Sequence, residues 1–339
     1  MGLRIIPSQT NIPFSKFRNV SAAISLAAIL GSIAAFFTLG LNFGIDFTGG
    51  VTVEVGPAET QTFVSEDLTA VRSAAVALGV GSVNAKEIGG TAGAKSGIAV
   101  TVELATSTEE TSATKADEDG LNSAAERRQT EVSNLVQAAL KEVLGDGISV
   151  RRVDVVGPTV SGELINKGVT ALALAIGLML FYIWIRFEWQ FSLGAILALV
   201  HDVILTVGIF CVTQLEFSLP IIAALLTIIG YSMNDTVVVY DRIRENLRKF
   251  KKKPLAEVVD LSINQTLART LMTSITTLLA LISLFVFGGD VLRGFSFALI
   301  WGVLIGTYSS VFIASPILLR TGVKRDWSKE GSRKELATP

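Results

Sequence analysis

The sequence predicts a polytopic α-helical membrane protein with six transmembrane helices and one ferredoxin-like α+β domain outside the membrane. Half of the 339 residues are hydrophobic and only 17% are charged, a balance too apolar for an ordinary soluble domain. Apolar runs long enough to cross the hydrocarbon core of a bilayer recur six times along the chain. One long polar stretch with alternating strand and helix patterns separates the first run from the other five, and it predicts the domain.

The first apolar run, residues 20–40, follows Lys16 and Arg18 and would be about 30 Å long as a helix. It lacks the short core and small-residue cleavage site of a signal peptide, so we expect an uncleaved anchor. The other five runs predict spans over residues 168–185, 191–213, 219–240, 270–288 and 294–319. The predicted segments on the inner side are residues 1–19, a basic loop over 241–269 and a tail over 320–339.

Lysine and arginine indicate the orientation, because short cytoplasmic loops hold an excess of both. With the N-terminus inside, the inner segments hold 18 of the 29 basic residues, and the short outer hairpins hold only Arg293. Residues 41–167 hold the other 10 together with 18 acidic residues, and this segment is long enough to escape the rule. Six spans put both termini on one side, which we predict to be the cytoplasm.

Residues 41–167 predict a domain with the element order βαββαβ, the order of a ferredoxin-like sandwich. The predicted strands are Val51–Val55, Ser82–Ile88, Gly97–Leu104 and Ile148–Val156, and the predicted helices are Glu66–Leu78 and Leu121–Leu144. Threonine, serine and glutamate dominate residues 105–120, which we interpret as a solvated loop.

Two glycine-containing stretches join this domain to the membrane: Gly-Ile-Asp-Phe-Thr-Gly-Gly at residues 44–50, and Gly-Pro-Thr-Val-Ser-Gly-Glu-Leu at residues 157–164. Glycine permits the positive φ angles that tight turns require, so we interpret both as hinges. They are the only covalent links between domain and membrane, so any relative motion passes through them. The candidate junction residues are Asp46, Gly49, Gly50, Gly157, Pro158 and Glu163.

Signatures of soluble enzymes are absent from the sequence, which has no Walker loop, dinucleotide fingerprint, GxSxG elbow or cysteine cluster. Cys211 and His201 are the only residues of their types, which excludes an intrachain disulfide and a multi-histidine metal site. We therefore predict that the chain is not an enzyme and binds neither a cofactor nor a metal. The net charge of −1 gives no reason to expect a nucleic-acid partner.

Two charged residues interrupt the apolar pattern of the fourth and fifth spans. Asp235 lies within the fourth and Arg269 at the start of the fifth, where an unpaired charge near the bilayer centre costs about 3 kcal/mol. The helices run in opposite directions, so both residues lie at comparable depth and could pair across the hairpin. Asp235 also lies within two turns of Asp241, so an interfacial carboxylate that reaches out to water stays open as an alternative.

Other polar side chains accompany this pair: Ser232, Asn234, Thr270, Thr273, Ser274, Thr276 and Thr277. Such groups either hold helices together through hydrogen bonds or hydrate a proton path, and both interpretations remain open. His201 and Asp202, near the middle of the third span, are a second costly placement. They either pack against a neighbouring helix or belong to the same polar network.

The sequence resembles the SecF family, membrane subunits of the bacterial SecD/SecF protein-export complex within the resistance-nodulation-division superfamily. The stretches that carry the resemblance are the two junctions, the His201-Asp202 pair, Tyr231 to Arg248 and Asn264 to Thr277. Together they span most of the chain.

The resemblance implies a multi-pass protein of the bacterial inner membrane with residues 41–167 in the periplasm. It further implies SecD as partner, the SecYEG translocon as neighbour and secreted polypeptides as substrates, with the proton gradient driving export. Asp235 and Arg269 match the positions that the family uses for proton conduction, and Asn234 adjoins them. Two other functions stay open: a non-energised subunit that only stabilises the translocon, and an exporter of small molecules or lipids.

Overall fold

The computed structural model describes residues 10–57, 63, 65–89, 97–104, 118–145 and 147–323, apart from the side chains of residues 65, 118–126, 158, 159, 290 and 291. In this part of the chain, six helical segments are long and apolar enough to cross a membrane. The helices are α1 Arg18–Thr38, α2 Ile45–Thr48, α3 Ser65–Ala77, α4 Glu118–Leu144, α5 Pro158–Arg186, α6 Trp189–Thr213, α7 Leu219–Lys249, α8 Leu255–Phe287, α9 Gly289–Ser309 and α10 Ser315–Thr321. The strands are β1 Gly50–Gly56, β2 Ser82–Ile88, β3 Gly97–Glu103 and β4 Ser149–Val156.

The domain between α1 and α5 has the predicted βαββαβ order, and its four strands form one antiparallel sheet in the order β2-β3-β1-β4. The central strand β1 directs Val51, Val53 and Val55 into a core that excludes water completely. Helices α3 and α4 cover that face and contribute side chains such as Val71 and Val136. The alternation of apolar residues along β1 is thus the signal that made the fold predictable. The ferredoxin-like prediction is confirmed.

The second junction differs from its prediction. Helix α5 begins at Pro158, so most of the stretch interpreted as a hinge forms the first turns of the helix. Proline is favoured at the first helical position because its ring already sets a helical φ angle. The backbone N–H that it lacks would have no acceptor within the helix at that position. Gly157 precedes the helix with a φ of −73°, which any residue adopts, whereas Gly49 and Gly50 have φ angles of 73° and 147°.

The predicted basic loop over residues 241–269 is mostly helical. Helix α7 continues to Lys249 and α8 starts at Leu255, which leaves only residues 250–254 between them. With 31 and 33 residues, the helices are about 46 Å and 50 Å long and exceed the hydrocarbon core of about 30 Å. The prediction ended both helices too early because hydropathy detects only the part of a helix that lies in lipid. The basic residues beyond that part do not interrupt the helices, since lysine and arginine are good helix formers. Helix α4 likewise starts at Glu118, inside the predicted loop over residues 105–120, of which residues 105–117 lie outside the described part.

The six spans are not equally buried. About half of the most apolar window of α6, of α7 and of the segment from α9 to α10 is buried, against at most 17% for α1, α5 and α8. Helices α6, α7 and α9 therefore form the centre of the bundle. Small residues allow close approach at its contacts: a side chain at Gly208 of α6 would overlap Ser32 of α1, and one at Gly302 of α9 would overlap Ile228 of α7.

The segment before α1 packs against α8 near the start of that helix. The backbone N–H of Ser15 donates to Asp260 at 2.7 Å and its hydroxyl donates to the same carboxylate at 2.6 Å. Ile12 and Asn264 exchange two hydrogen bonds, both of 2.9 Å. The N-terminal segment and the short connection between α7 and α8 therefore lie at the same end of the helical bundle.

We predict that Gly50→Ala destabilises the sheet by about 1 to 3 kcal/mol, because its φ angle is unfavourable for alanine and the new Cβ overlaps the carbonyl oxygen of Val102. The measurement is amide hydrogen exchange of β1 and β3 in the intact, detergent-solubilised protein. The matched control is Gly177→Ala in α5, where a Cβ has no neighbour within 4 Å and exchange in the sheet should not change. Equal protection in the two variants would contradict the assignment of strain to Gly50.

Candidate functional site

Asp235 lies in the buried side of α7, where its side chain is 3% exposed. Its carboxylate oxygen Oδ2 is buried and has no hydrogen-bond partner in the described part of the chain. Arg269 of α8 is the charged group that acts on this carboxylate electrostatically. Each residue lies 14 residues from its helix end at the short α7–α8 connection, so both lie about 21 Å along their helices from it. The sequence had indicated this shared depth.

The two charges do not form a direct ion pair in the described structure. Asp235 faces inward, whereas Arg269 and Asn234 are exposed on the surface of the bundle. Asn234 directly precedes Asp235 on α7, so the helix presents a buried carboxylate and an exposed amide at one level. The arrangement places a guanidinium and an amide on the outer surface of two membrane-spanning helices, at a depth where contact with lipid would be costly.

Three hydroxyl side chains of α8 near Arg269 differ in their hydrogen-bond partners. Ser274 is buried and shares a 2.7 Å hydrogen bond with Thr307 of α9, which is a contact between helices. Thr273 is exposed and donates to the backbone of its own helix, at Arg269 and Thr270. Thr270 itself is 2% exposed, and its hydroxyl oxygen is buried with no partner among the described residues. Helix packing therefore accounts for Ser274, but it leaves the Thr270 hydroxyl unexplained.

His201 and Asp202 form the core of a buried network at the centre of the bundle. Both side chains are almost fully buried, and Nδ1 of His201 lies 2.9 Å from Oδ1 of Asp202. The other carboxylate oxygen, Oδ2, accepts hydrogen bonds from Ser232 of α7 at 2.5 Å and from Ser309 of α9 at 2.8 Å. One carboxylate thus joins the three central helices. Buried charges require such donors, since a carboxylate removed from water is otherwise strongly destabilising.

A second layer of the network reaches the peripheral helix α1. The ring of Tyr308 packs at a tilt against His201, with a centroid separation of 6.2 Å. The Tyr308 hydroxyl donates to the backbone oxygen of Ser21 at 3.1 Å and lies 3.0 Å from the hydroxyl of Ser25. Nε2 of His201 is buried, and no described residue supplies it with a hydrogen-bond partner. The network therefore extends from α1 through His201 to the helix that carries Asp235.

Directly after Ser309 the helix widens into a single π turn, Ser310–Ala314, before α10 continues it. Widening leaves backbone carbonyls without their usual partners, and side chains supply new ones. The Tyr240 hydroxyl donates to Ala314 O at 3.0 Å, and Ser315 Oγ donates to Ser310 O at 3.0 Å. The π turn thus adjoins the Asp202 contact, and Tyr240 bonds it to α7, the helix that carries Asp235.

The first junction is connected directly to α7. Oδ2 of Asp46 accepts the backbone N–H of Leu219, the first residue of that helix, at 2.8 Å. The neighbouring loop residue Glu216 forms a 2.5 Å ion pair with Lys86 of β2. At the second junction Ser161 donates to Ile45 O at 3.4 Å, whereas Glu163 pairs only with Lys167 one turn along α5, on an exposed surface. Pro158 starts α5, and its side chain lies outside the described part.

Sequence reasoning left open whether His201 and Asp202 pack against a neighbouring helix or join the polar network that includes Ser232, and the structure bonds Asp202 to Ser232. That reasoning missed Ser309, Tyr308 and the role of Asp46 as the cap of α7. The usable signal for the first two was a tyrosine and two serines in succession within an otherwise apolar span, since each must find a hydrogen-bond partner there. No local signal indicates which helix supplies the partner.

Known proteins resemble this chain over nearly its whole length. A family model described as "Protein export membrane protein SecD/SecF, C-terminal" matches residues 135–324, more than half of the chain, and the "SecD/SecF GG Motif" matches residues 34–59. The protein translocase subunit SecF of Cereibacter sphaeroides is 44% identical over 98% of this chain and 96% of its own length. That of Rhodobacter capsulatus is 43% identical over 97% and 94%. The chain belongs to the SecF family. The resemblance inferred from the sequence is confirmed.

Solved structures with the SecF fold give the same assignment. The crystal structure of SecDF, a translocon-associated membrane protein from Thermus thermophilus, superposes with a TM-score of 0.73 and 34% identity over 95% of this chain. SecDF in its super-membrane-facing form gives a TM-score of 0.62 and 33% identity over 99% of this chain. This chain covers 39% and 41% of those two SecDF chains. It is therefore a multi-pass membrane protein of the SecD/SecF protein-export family.

We predict that Asp202→Ala lowers the free energy of unfolding by about 1 to 3 kcal/mol, because it leaves two serine hydroxyls and the Nδ1 of His201 without their acceptor in a buried site. The measurement is thermal unfolding of the purified protein in detergent. The control is Ser283→Ala on the exposed side of α8, where the hydroxyl donates only to Leu279 O of its own helix. That variant should stay within about 0.5 kcal/mol of the unmodified protein. Equal stability of the two variants would refute the structural role of Asp202.

Proposed function

We propose that this chain is the SecF subunit that, with SecD, uses the proton gradient to promote export of polypeptides across the inner membrane. The observation that carries the proposal is the buried Oδ2 of Asp235, which has no donor among the residues that the structure describes and whose carboxylate is influenced electrostatically by Arg269. Such an oxygen is completed by a proton, by water or by a donor on another subunit. Each of these suits a carboxylate that is protonated and deprotonated in turn.

In the proposed cycle Asp235 takes up a proton from one side of the membrane and releases it to the other. Arg269 acts as a counter-ion whose distance from Asp235 changes during the cycle, which favours the ionised carboxylate when it is close. Separation of the two in the described structure is consistent with one state of such a switch. A proton that moves inward through 100 mV releases about 2.3 kcal/mol, so several protons per cycle supply enough free energy for mechanical work.

The exposed polar surface of α7 and α8 is suited to contact with the membrane helices of a partner protein. Asn234, Arg269 and Thr273 are exposed on α7 and α8 at the depth of Asp235. We propose that SecD covers this face, since polar groups at that depth require protein or water around them. The SecYEG translocon and secreted polypeptides complete the proposed assembly. The orientation is that predicted by the basic residues, with both termini in the cytoplasm and residues 41–167 in the periplasm.

Motion of the periplasmic domain is coupled to Asp235 through the outer end of α7. Asp46 lies in the first junction and caps α7 sixteen residues before Asp235 on that rigid helix. The ion pair between Lys86 and Glu216 adds an exposed contact between the sheet and the loop before α7. We propose that a domain movement shifts or rotates α7 through the Asp46 contact and so changes the surroundings of the carboxylate.

The second candidate function is a non-energised subunit that only stabilises the translocon. The dense network around Asp202 favours it, because both oxygens of that buried carboxylate have partners among the described residues, as expected of a structural core. The two functions differ in what they require of Asp235. A purely structural subunit gains nothing from a buried carboxylate oxygen that no described residue satisfies.

We predict that Asp235→Asn abolishes the stimulation of export by an imposed proton gradient, because the amide cannot be protonated and deprotonated. The measurement is translocation of a secretory precursor into inner-membrane vesicles that contain SecYEG, SecD and the variant, with and without the gradient. Arg269→Met should lose the same stimulation through removal of the counter-ion.

The matched control for that experiment is Glu257→Gln, which removes an exposed carboxylate from the first turn of α8. It should export like the unmodified protein. Co-purification with SecD checks that each complex assembles. If Asp235→Asn assembles normally and retains full stimulation, proton conduction by this residue is wrong and the structural function is the better account.

We predict that Asp46→Ala weakens the start of α7 by about 1 kcal/mol and reduces gradient-driven export without loss of the complex with SecD, because Leu219 loses its acceptor. Asp46→Asn is the control, since an asparagine oxygen caps a helix nearly as well. The same vesicle assay serves as the readout. Equal loss in both variants would show that charge at Asp46, and not the cap, is what matters.

A further inference from the structure

A charged cavity of about 630 Å³ lies where α5 ends and α7 extends beyond its apolar part, away from Asp235 and from the Asp202 network. Its lining consists of four cations and two carboxylates: Arg186, Arg244, Arg248, Lys249, Asp241 and Glu245. The balance leaves two positive charges in excess. None of these residues has a part in the proposed proton transfer.

Two of the guanidinium groups are held in place by one aromatic ring. Arg186 lies 5.0 Å and Arg244 lies 5.6 Å from the centre of the Phe187 ring. Contacts of this kind fix the direction of a guanidinium and leave its N–H groups available for planar acceptors. The positions of both cations are therefore set before any ligand arrives.

The carboxylates within the cavity do not use all the donors. Asp241 is shared, since it lies 3.3 Å from Arg186 and 3.7 Å from Arg244. Glu245 pairs with Arg242, which lies outside the lining. Nε of Arg244 is buried and has no hydrogen-bond partner in the described part of the chain. An additional acceptor with several oxygen atoms would complete this set of donors.

The cavity opens beside a surface suited to lipid. Helix α5 is the least buried span, and the side chains of Trp184 and Ile185 next to Arg186 are both 67% exposed. Trp189 and Tyr182 are exposed at the same end of the span. Tryptophan and tyrosine concentrate at the level of lipid headgroups, so these residues indicate that the cavity lies at the membrane surface.

The attraction of cations to helix C-termini does not account for the whole arrangement. It explains Arg186 in the last turn of α5, and Arg248 and Lys249 in the last turn of α7. Arg244 lies more than one turn before the end of α7, and only 19% of its side chain is exposed. A dipole effect does not require burial of its Nε beside a second guanidinium.

We propose that this cavity binds the phosphate of an anionic phospholipid, whose acyl chains lie along the exposed apolar face of α5. Phosphate offers several oxygen acceptors to the two fixed guanidinium groups, and basic pockets between membrane helices bind such headgroups. Arg186 and Arg244 are the principal contacts, with Arg248 and Lys249 adding positive charge. The site is independent of the proposed proton transfer.

The test uses the purified full-length protein in nanodiscs of phosphatidylcholine that contain a small fraction of phosphatidylglycerol. Native mass spectrometry after release counts the anionic lipids retained per protein. We expect Arg186→Gln/Arg244→Gln to lower their retention about tenfold, because two charge-assisted contacts are removed. The matched control is Lys251→Gln/Lys252→Gln, which removes two exposed cations from the α7–α8 connection outside the cavity. It should retain lipid like the unmodified protein.

Two further arms separate the alternatives. Arg244→Lys keeps the charge but loses the planar set of donors, so we expect it to retain an intermediate amount of lipid if the site recognises phosphate. Because this change is conservative, it also controls for misfolding of the double variant. Inorganic phosphate and glycerol phosphate at millimolar concentrations should not displace the lipid. Their displacement of it would assign the site to a soluble phosphate compound and overturn the proposal. Equal loss in the cavity variant and the control would reduce the effect to surface charge and likewise overturn it.

Discussion

A carboxylate within a membrane helix must find donors, and this constraint has two different outcomes in the bundle. Asp202 finds them within its own chain: His201 on one side, Ser232 and Ser309 on the other. Asp235 has a buried oxygen, Oδ2, that receives no hydrogen bond from the part of the chain that the structure describes. The carboxylate therefore holds neighbouring helices together at Asp202, whereas at Asp235 it keeps an oxygen available as an acceptor. Burial differs little between them, so the supply of donors decides the outcome.

The satisfied carboxylate also determines the geometry at the unsatisfied one. Ser232 precedes Asp235 by three residues on α7, so it lies on nearly the same helix face about one turn away. Its bond to Asp202 fixes the rotation of α7 against α6 and α9. The π turn after Ser309 and the contact from Tyr240 hold α7 on the other side of Asp235. In the described conformation these contacts set the direction in which the carboxylate faces, and a shift of α7 would have to change them.

Periodic and local features of this protein could be predicted from its sequence. The valines that alternate along β1 indicated the sheet, and counting along two antiparallel helices gave the shared depth of Asp235 and Arg269. Contacts between distant residues could not be predicted. Ser309 lies 107 positions from Asp202, and Leu219 lies 173 positions from Asp46. Whether an arginine turns toward a carboxylate or toward the surface depends on side-chain rotamers and on neighbouring helices, and hydropathy records neither.

The contacts between domain and bundle have unequal strength, which bears on how movement is transmitted. The side chains of Lys86 and Glu216 are 48% and 34% exposed, so their ion pair contributes at most about 1 kcal/mol and is easily broken. The Asp46 cap is partly buried and satisfies a backbone donor that would otherwise have no partner at the start of α7. A domain that moves therefore loses the ion pair first and retains the cap. Gly49 lies between Asp46 and the first residue of β1 and has a positive φ angle, so we propose that any rotation between sheet and membrane is concentrated at Gly49, immediately beyond the residue that holds α7.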